Sequence, residues 1–279
     1  MCGDCFKMSR FFVSVEMVDN DNGKIVITGD DVKHIRSVLR SVPGDALELS
    51  DGSGTDYVVT IEAVEKDSIT TKIVNTKPNK NEPPVNITLF QGIPKADKME
   101  YIIQKCIELG VKRIVPVMTA RTVVRFDNAH EAAAKTARWK RIAMEAAKQC
   151  NRGIVPSVEE TVRFDEALKL TESCDLKLLP YEGDAAGNLR QHLEAQKLKL
   201  RGTPQSVKNT AKPDEVCSAG SIALFIGPEG GFTVVEVQKA LECGFKSVTL
   251  GPRILRTETA GVATIAVIMY ELGDMADNS

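Results

Sequence analysis

The spacing of apolar and polar positions changes several times along this chain, and each change predicts an element. At 10–15, 24–28, 45–50, 56–64 and 68–75, β-branched and apolar residues alternate or cluster between turn signals such as Asp51-Gly52-Ser53-Gly54, which predicts short strands. A short helix at 32–39 carries His34, Arg36 and Arg40. Residues 77–84 are polar and proline-rich and read as a linker. Beyond them come a strand at 85–91, an amphipathic helix at 95–109 stopped by Gly110, and a strand at 113–118, an order that predicts a parallel sheet. A long helix at 129–151 has alanine-rich packing faces and basic residues outward. Apolar segments at 155–158 and 164–170 lead to a strand at 177–182 that ends in Pro180-Tyr181-Glu182. From 183 to 219 the chain is polar and poor in large apolar residues, which predicts a mobile surface insertion without an assigned function.

The densest pattern lies in 221–273. An apolar run at 222–226 reads as a buried strand and breaks into Gly227-Pro228-Glu229-Gly230-Gly231-Phe232. Thr233 and Glu236 have capping-box spacing, so a helix starts there and stops at Gly244. A second buried strand at 247–250 turns at Gly251-Pro252-Arg253, and a nearly all-apolar helix runs from about Thr257 to Gly273. Each strand thus ends in a glycine-containing loop that leads into a helix. In open α/β sheets, ligands bind at such carboxyl-end loops, where glycines permit close backbone approach and helix N-termini offer free N–H groups. One such loop is often an ordinary turn; two, with Ile-Leu-Arg-Thr-Glu-Thr-Ala-Gly directly after the second, point to a binding site.

Composition bounds the rest. The 279 residues suffice for one large domain or two smaller ones, with the make-up of an ordinary soluble globular protein. The longest apolar run, near 265–270, is too short to span a bilayer, and the start lacks the apolar core of a signal peptide. Seven scattered cysteines fit free thiols in a reducing cytoplasm; Cys2 and Cys5 have CxxC spacing but no second ligand pair, so they read as a tail feature. No His/Cys/Asp cluster has metal-ligand spacing. Net charge is −2, but residues 112–152 hold ten basic side chains against three acidic ones. That concentration predicts a basic face for a polyanion, with Arg121, Arg125, Arg138, Arg141 and Arg152 as its candidate contacts, although the cluster at 138–141 could equally be a solvated face.

The motifs Ile-Gly-Pro-Glu-Gly-Gly-Phe-Thr at 226–233 and Leu-Gly-Pro-Arg-Ile-Leu-Arg-Thr-Glu-Thr-Ala at 250–260 closely resemble those of the RsmE-type family of 16S ribosomal RNA (uracil-N3) methyltransferases, within the SPOUT superfamily. In order along the chain, Met-Ser-Arg-Phe-Phe-Val near the start, His-Ile-Arg-Ser-Val-Leu-Arg at 34–40, the segment at 91–111 and Arg-Trp-Lys-Arg at 138–141 match as well, so the resemblance spans about 8–273. It implies an α/β fold: a SPOUT-type parallel sheet with a C-terminal trefoil knot, preceded by a small PUA-like β-barrel. Domain boundaries follow at 1–76 for the RNA-binding barrel, 77–84 for the linker and 85–279 for the methyltransferase domain. On the residues alone, His34 and Arg36 sit on a solvated helix face; the resemblance makes them RNA contacts, with Arg10 and Arg40 added, and makes RNA the partner of the basic face.

The implied chemistry is methyl transfer from S-adenosylmethionine to N3 of one uridine in 16S ribosomal RNA, on the small ribosomal subunit. Positioning supplies most of such catalysis, and no metal is required. Three loops would hold the cofactor: Leu179, Pro180 and Glu182; Ile226, Gly227, Pro228, Glu229, Gly230 and Gly231; and Leu250, Gly251, Ile254, Leu255, Arg256, Thr257 and Thr259. Either Glu182 or Glu229 would meet the ribose hydroxyls or the sulfonium. Arg256 could stabilise the uridine anion and Glu258 could take the N3 proton, although the two could equally form a structural ion pair. SPOUT enzymes are generally homodimers, and the apolar C-terminal helix would supply the contact. Two other readings compete. A non-catalytic ribosome-assembly factor is disfavoured by the intact glycine loops, and a nucleotide-dependent metabolic enzyme by the lack of GxGxxG or a P-loop.

Overall fold

The computed structural model describes residues 9–126, 128–183, 187–202 and 220–276. Cys2, Cys5 and the larger part of the expected 183–219 insertion lie outside them. The chain divides into two compact units, Met1–Glu82 with Ala147–Val155, and Pro83–Ala146 with Pro156–Ser279.

In the first unit, alternation builds the sheet. Strand β1 is Arg10–Phe12, β2 Val18–Asp19, β3 Lys24–Thr28, β4 Ala46–Ser50, β5 Thr55–Val64 and β6 Ser68–Pro78. They pair in the order β1-β4-β5-β6-β3-β2, antiparallel except for the parallel β1–β4 pair. Ile25 and Ile27 of β3 turn inward while Lys24, Val26 and Thr28 face out, as a period of two requires. Leu47, Leu49, Val59, Ile61 and Ile69 complete that apolar face, and Val32 and Ile35 of helix α1 (Asp30–Lys33, continued as a π turn over His34–Val38) pack on it. The segment read as a linker is built into the unit instead. Lys77 and Pro78 end β6, and the side chains of Asn79 and Asn81 donate to the Asn151 carbonyl.

A buried charge cluster overturns two expected RNA contacts. Arg10, with its side chain 6 % exposed, donates to Asp56 at 2.6 Å, to Glu48 at 3.1 Å and to the Arg152 carbonyl at 3.0 Å. Arg152 is itself buried and pairs with Glu82 at 2.7 Å. Glu82 Oε1 also accepts from the backbone N–H groups of Gly153 and Ile154. Both guanidiniums face carboxylates that the fold brings from far along the chain, so neither is available to a phosphate. Burial pushes the Asp56 carboxyl up, but hydrogen bonds from Arg10 and Asn79 and the Arg10 charge outweigh it and hold its pKa below the usual carboxylate range. A depressed carboxylate stabilises the folded state above its unfolded pKa, and that stabilisation is lost as pH falls through the folded value. Melting curves should therefore show the first unit losing stability below about pH 4, and Asp56→Asn should flatten that acid limb while lowering stability at neutral pH.

In the second unit every strand pairing is parallel. Its elements are β7 Asn86–Gly92, α2 Lys98–Glu108, β8 Arg113–Met118, α3 Ala129–Gln149 (whose last residues belong to the first unit), β9 Ser157–Val158, β10 Val162–Arg163, α4 Phe164–Lys169, β11 Leu176–Pro180, β12 Gly187–Asn188, α5 Leu189–Gly202, β13 Ser221–Ile226, α6 Val234–Glu242, β14 Lys246–Thr249 and α7 Thr257–Leu272. The strand order is β10-β8-β7-β13-β11-β14-β12, with β9 also on β8. Central β13 is buried along its whole length, as a parallel strand covered on both faces must be. Phe90 stacks on Phe225 of this strand, Phe232 and Phe245 meet that ring edge to face, and Phe164 lies tilted against it. Part of the expected mobile insertion is regular structure. Gly187 and Asn188 pair with β14, and α5 buries Leu189 and Leu193 against the fold.

Candidate functional site

Strands β7, β13, β11 and β14 are consecutive neighbours, all parallel, so their carboxyl ends lie side by side. The loops that leave β11, β13 and β14 enclose a cavity of about 550 Å³. Of the expected cofactor residues, Pro180, Glu182, Ile226, Gly227, Pro228, Glu229, Gly230, Gly231, Leu250, Gly251, Ile254, Leu255, Arg256 and Thr257 line it. Two do not. Leu179 is wholly buried in the phenylalanine cluster because the strand period turns it away, and Thr259 lies exposed on α7.

Local chemistry shapes these loops. Gly231 and Gly251 have φ of +64° and +102°, a region that side chains with a Cβ rarely enter. Thr233 and Glu236 close a capping box at the start of α6, and the other Glu236 oxygen accepts from the Ala120 backbone N–H at 2.8 Å. The loop after β8 is thus pinned to the same helix start. From that loop Arg121 donates to the Gly230 carbonyl at 2.8 Å, which places it on the cavity wall. Thr257 joins the two glycine loops: its hydroxyl donates to the Gly227 carbonyl at 2.6 Å and accepts from Gln91 of β7 at 2.9 Å.

Three charged groups meet beside the glycine loop. Glu229 accepts from the Lys95 backbone N–H at 3.1 Å and from Lys98 Nζ at 3.0 Å. Burial pushes its carboxyl up, but these hydrogen bonds and the Lys98 charge prevail and hold its pKa below the ordinary carboxylate value. Glu258 turns to the same ammonium, with Oε2 at 3.4 Å. That oxygen is buried and has no hydrogen-bond partner among the described residues. The Arg256–Glu258 ion pair considered from the sequence is therefore absent among the described residues, and Glu258 is not on the cavity wall. Arg256 is exposed, lines the cavity and caps α7 through its carbonyl, which accepts from the N–H groups of Thr259 and Ala260.

Sequence reasoning missed Lys98, Tyr181, Phe232, Val234, Val248, Arg253 and Ala260 on this wall. Tyr181 and Arg253 stood inside motifs already singled out, so their neighbours were the signal. Lys98 lay within the matching 91–111 segment but in none of the three expected cofactor loops, and it reaches the cavity because β7 lies beside β13.

The expected basic face is largely offset. Arg113 pairs with Glu159, Arg138 with Glu100, Lys140 with Glu160, Lys148 with Asp31 and Arg152 with Glu82. All five carboxylates lie outside the 112–152 segment, so counting charge along the chain overstated it. Arg125 and Arg141 remain exposed, as do His34, which meets Phe11 edge-on, Arg36, which donates to the Lys66 carbonyl, and Arg40. Among the described residues no group of three or more His, Cys, Asp or Glu could hold a metal ion, and no helix is long and apolar enough to cross a membrane.

Known proteins are similar to this chain in sequence and fold. The family model of the RNA methyltransferase domain matches residues 81–269, and that of the RNA methyltransferase PUA domain matches residues 27–74. Ribosomal RNA small subunit methyltransferase E of Bacillus subtilis (strain 168) is 31 % identical, over 95 % of this chain and 97 % of its own. Its namesake from Aquifex aeolicus (strain VF5) is also 31 % identical, over 88 % of this chain and 93 % of its own. The crystal structure of a ribosomal RNA small subunit methyltransferase E from Neisseria gonorrhoeae bound to S-adenosyl methionine is similar with a TM-score of 0.76 at 34 % identity, covering 96 % of this chain and 99 % of that one. With one family model matching well over half of the chain and relatives matching nearly end to end, this chain belongs to the RNA methyltransferase family that includes ribosomal RNA small subunit methyltransferase E.

Proposed function

We propose that this protein methylates N3 of one uridine in 16S ribosomal RNA on the small ribosomal subunit, with S-adenosylmethionine as donor. One observation carries the reading: three loops from adjacent parallel strands enclose a cavity of about 550 Å³, in a chain that matches, nearly end to end, a relative solved with that cofactor. The cavity fits such a ligand. Its volume is within the range that holds molecules of this size, and its lining includes the apolar side chains of Ile226, Leu250 and Leu255 and the glycine backbone at Gly227, Gly231 and Gly251. Glu182 and Glu229 both line it, but Glu229 is held by Lys95 and Lys98, which leaves Glu182 as the carboxylate for the ribose hydroxyls.

When bound, S-adenosylmethionine supplies an electrophilic methyl group, which N3 takes as the carbon–sulfur bond breaks to leave a neutral thioether. The chain's residues must ease departure of the N3 proton to solvent and stabilise the charge left on the base. Arg256 suits that role, because it is a permanent cation on the cavity wall, anchored through its backbone. Arg256→Ala is expected to lower turnover about a hundredfold while S-adenosylmethionine affinity changes little, as single-turnover kinetics and calorimetry would read. Equal losses in both would make Arg256 a structural residue. His34, Arg36, Arg40, Arg121, Arg125 and Arg141 are the expected RNA contacts this reading retains, and Arg253 on the cavity wall is added to them.

The homodimer belongs to the same proposal. Helix α7 buries Ile265, Ile268 and Met269 and leaves Val267 and Tyr270 exposed, with exposed Tyr101 on the α2 helix packed against it. A cytoplasmic setting fits the free thiols of Cys106, Cys150, Cys174 and Cys243, and the C-terminal trefoil knot is part of the reading. The deciding experiment incubates the protein with labelled S-adenosylmethionine and small subunits from a strain lacking it, followed by nucleoside mass spectrometry. One new N3-methyluridine is expected. Cofactor binding without that product would redirect the reading to another RNA, and failure to bind the cofactor would favour an assembly factor.

A further inference from the structure

Lys98 is among none of the site residues expected from the sequence, yet its side chain lines the cavity from the first turn of α2. Its ammonium is held from two elements, by Glu229 of the glycine loop at 3.0 Å and by Glu258 of α7 at 3.4 Å. The hydrogen bond to Glu229 raises the Lys98 pKa above the ordinary lysine value, against the opposing effect of burial, so the group stays charged. An ammonium carries three N–H donors. Glu229 takes one of them, and Glu258 faces the ammonium at 3.4 Å as an ion pair without a hydrogen bond, which leaves donors for an acceptor inside the cavity.

We infer that Lys98 is a catalytic residue that donates a remaining N–H hydrogen bond to a carbonyl oxygen of the target base, next to the N3 that receives the methyl group. This rests on the methyl-transfer reading above. Loss of the N3 proton spreads negative charge over N3 and the flanking carbonyl oxygens, so a fixed cation there binds the transition state better than the ground state. The electrostatics favour such a partner over the carboxylate of a cofactor's amino-acid end. That group would be a third full anion around an ammonium already facing two, whereas a base carbonyl is neutral when it arrives and gains only part of a charge. Glu229 and Glu258 then act as positioning residues: they hold the nitrogen from two different elements and stop the flexible four-carbon stem from wandering.

The test compares Lys98→Met and Lys98→Arg with the unaltered full-length protein on small subunits lacking the modification, from about pH 7 to about pH 9. Calorimetry with S-adenosylmethionine and thermal melting run in parallel. For Lys98→Met the expected result is about a hundredfold loss in turnover, with cofactor affinity and melting close to the unaltered protein. Lys98→Arg should recover part of the loss by keeping the charge. The deficit of Lys98→Met should shrink as pH rises, because solvent then removes more of the N3 proton unaided. The carboxylates of Glu229 and Glu258 that face Lys98, and Glu182, Arg121, Arg253 and Arg256 on the other walls, are the same in all three proteins, so the ratio of rates isolates the lysine. A deficit constant across the pH range, or cofactor affinity lost in step with turnover, overturns the inference in favour of a structural or cofactor-anchoring role. Turnover of Lys98→Met within about threefold of the unaltered protein overturns it outright. An unaltered protein that binds the cofactor but yields no N3-methyluridine overturns the function itself, and this inference with it.

Discussion

Replacing Arg10 by alanine is expected to destabilise the N-terminal unit by about 3–5 kcal/mol, the usual consequence of removing one partner from a buried ion pair. The Asp56 side chain is 4 % exposed and would keep the Asn79 amide as a side-chain donor, while Glu48 would keep Lys77 at 3.1 Å. The Arg152 carbonyl would lose a donor as well. Domains are stable by about 5–15 kcal/mol in total, so this loss takes a large share. Urea titration followed by circular dichroism would read it as a lower midpoint. Arg10→Met combined with Asp56→Asn should cost less than Arg10→Ala, because the double change removes the stranded charge. An arginine that served RNA would behave in the opposite way, with melting unchanged and affinity for the small subunit reduced. That outcome would return Arg10 to the nucleic-acid surface.

Gly92→Ala is expected to cripple the cavity from outside it. Gly92 ends β7, and a Cβ there would lie 2.5 Å from Pro228 Cδ and 2.7 Å from the Pro228 backbone nitrogen. The obstacle is a ring and a main chain rather than a flexible side-chain tip, so β7 or the 227–232 loop must move. Overpacking of this kind costs about 1–3 kcal/mol. If the loop yields, the whole cost falls on ligand affinity, and about 2 kcal/mol corresponds to about thirtyfold weaker binding. Calorimetry with S-adenosylmethionine should therefore show a loss of about that size, and methyl transfer should fall further because loop and base must also be aligned. Unchanged affinity with a lower melting temperature would show that the strand gave way instead.

Much of this was legible along the chain because the signals were local. The glycines that permit positive φ at 231 and 251, the capping box of Thr233 and Glu236, and the unbroken apolar run of β13 each depend on residues a few positions apart. Such features are decided by backbone sterics, side-chain reach and strand period, which sequence carries directly. Fourteen of the sixteen residues expected around the cofactor accordingly line one cavity. The insertion was misread in part because α5 has a low apolar content, and what orders it is packing of Leu189 and Leu193 against the fold.

Charge was the property that spacing along the chain could not resolve. Seen in one dimension, Arg10, Arg138 and Arg152 look like three equivalent candidates for a phosphate. In the fold the first and last are buried against carboxylates up to 70 positions away, and the second pairs with Glu100 on its surface. The fate of a cation depends on which anion stands within about 4 Å, and that distance is set by sheet order. Lys98 is the converse case. An ordinary lysine in an amphipathic helix becomes a cavity group because β7 pairs with β13, which brings Glu229, 131 positions further on, to its ammonium. Local pattern was therefore enough for the loops, the caps and the family. Which charges meet was settled in the folded chain, because electrostatic pairing acts through space and a one-dimensional pattern does not encode it.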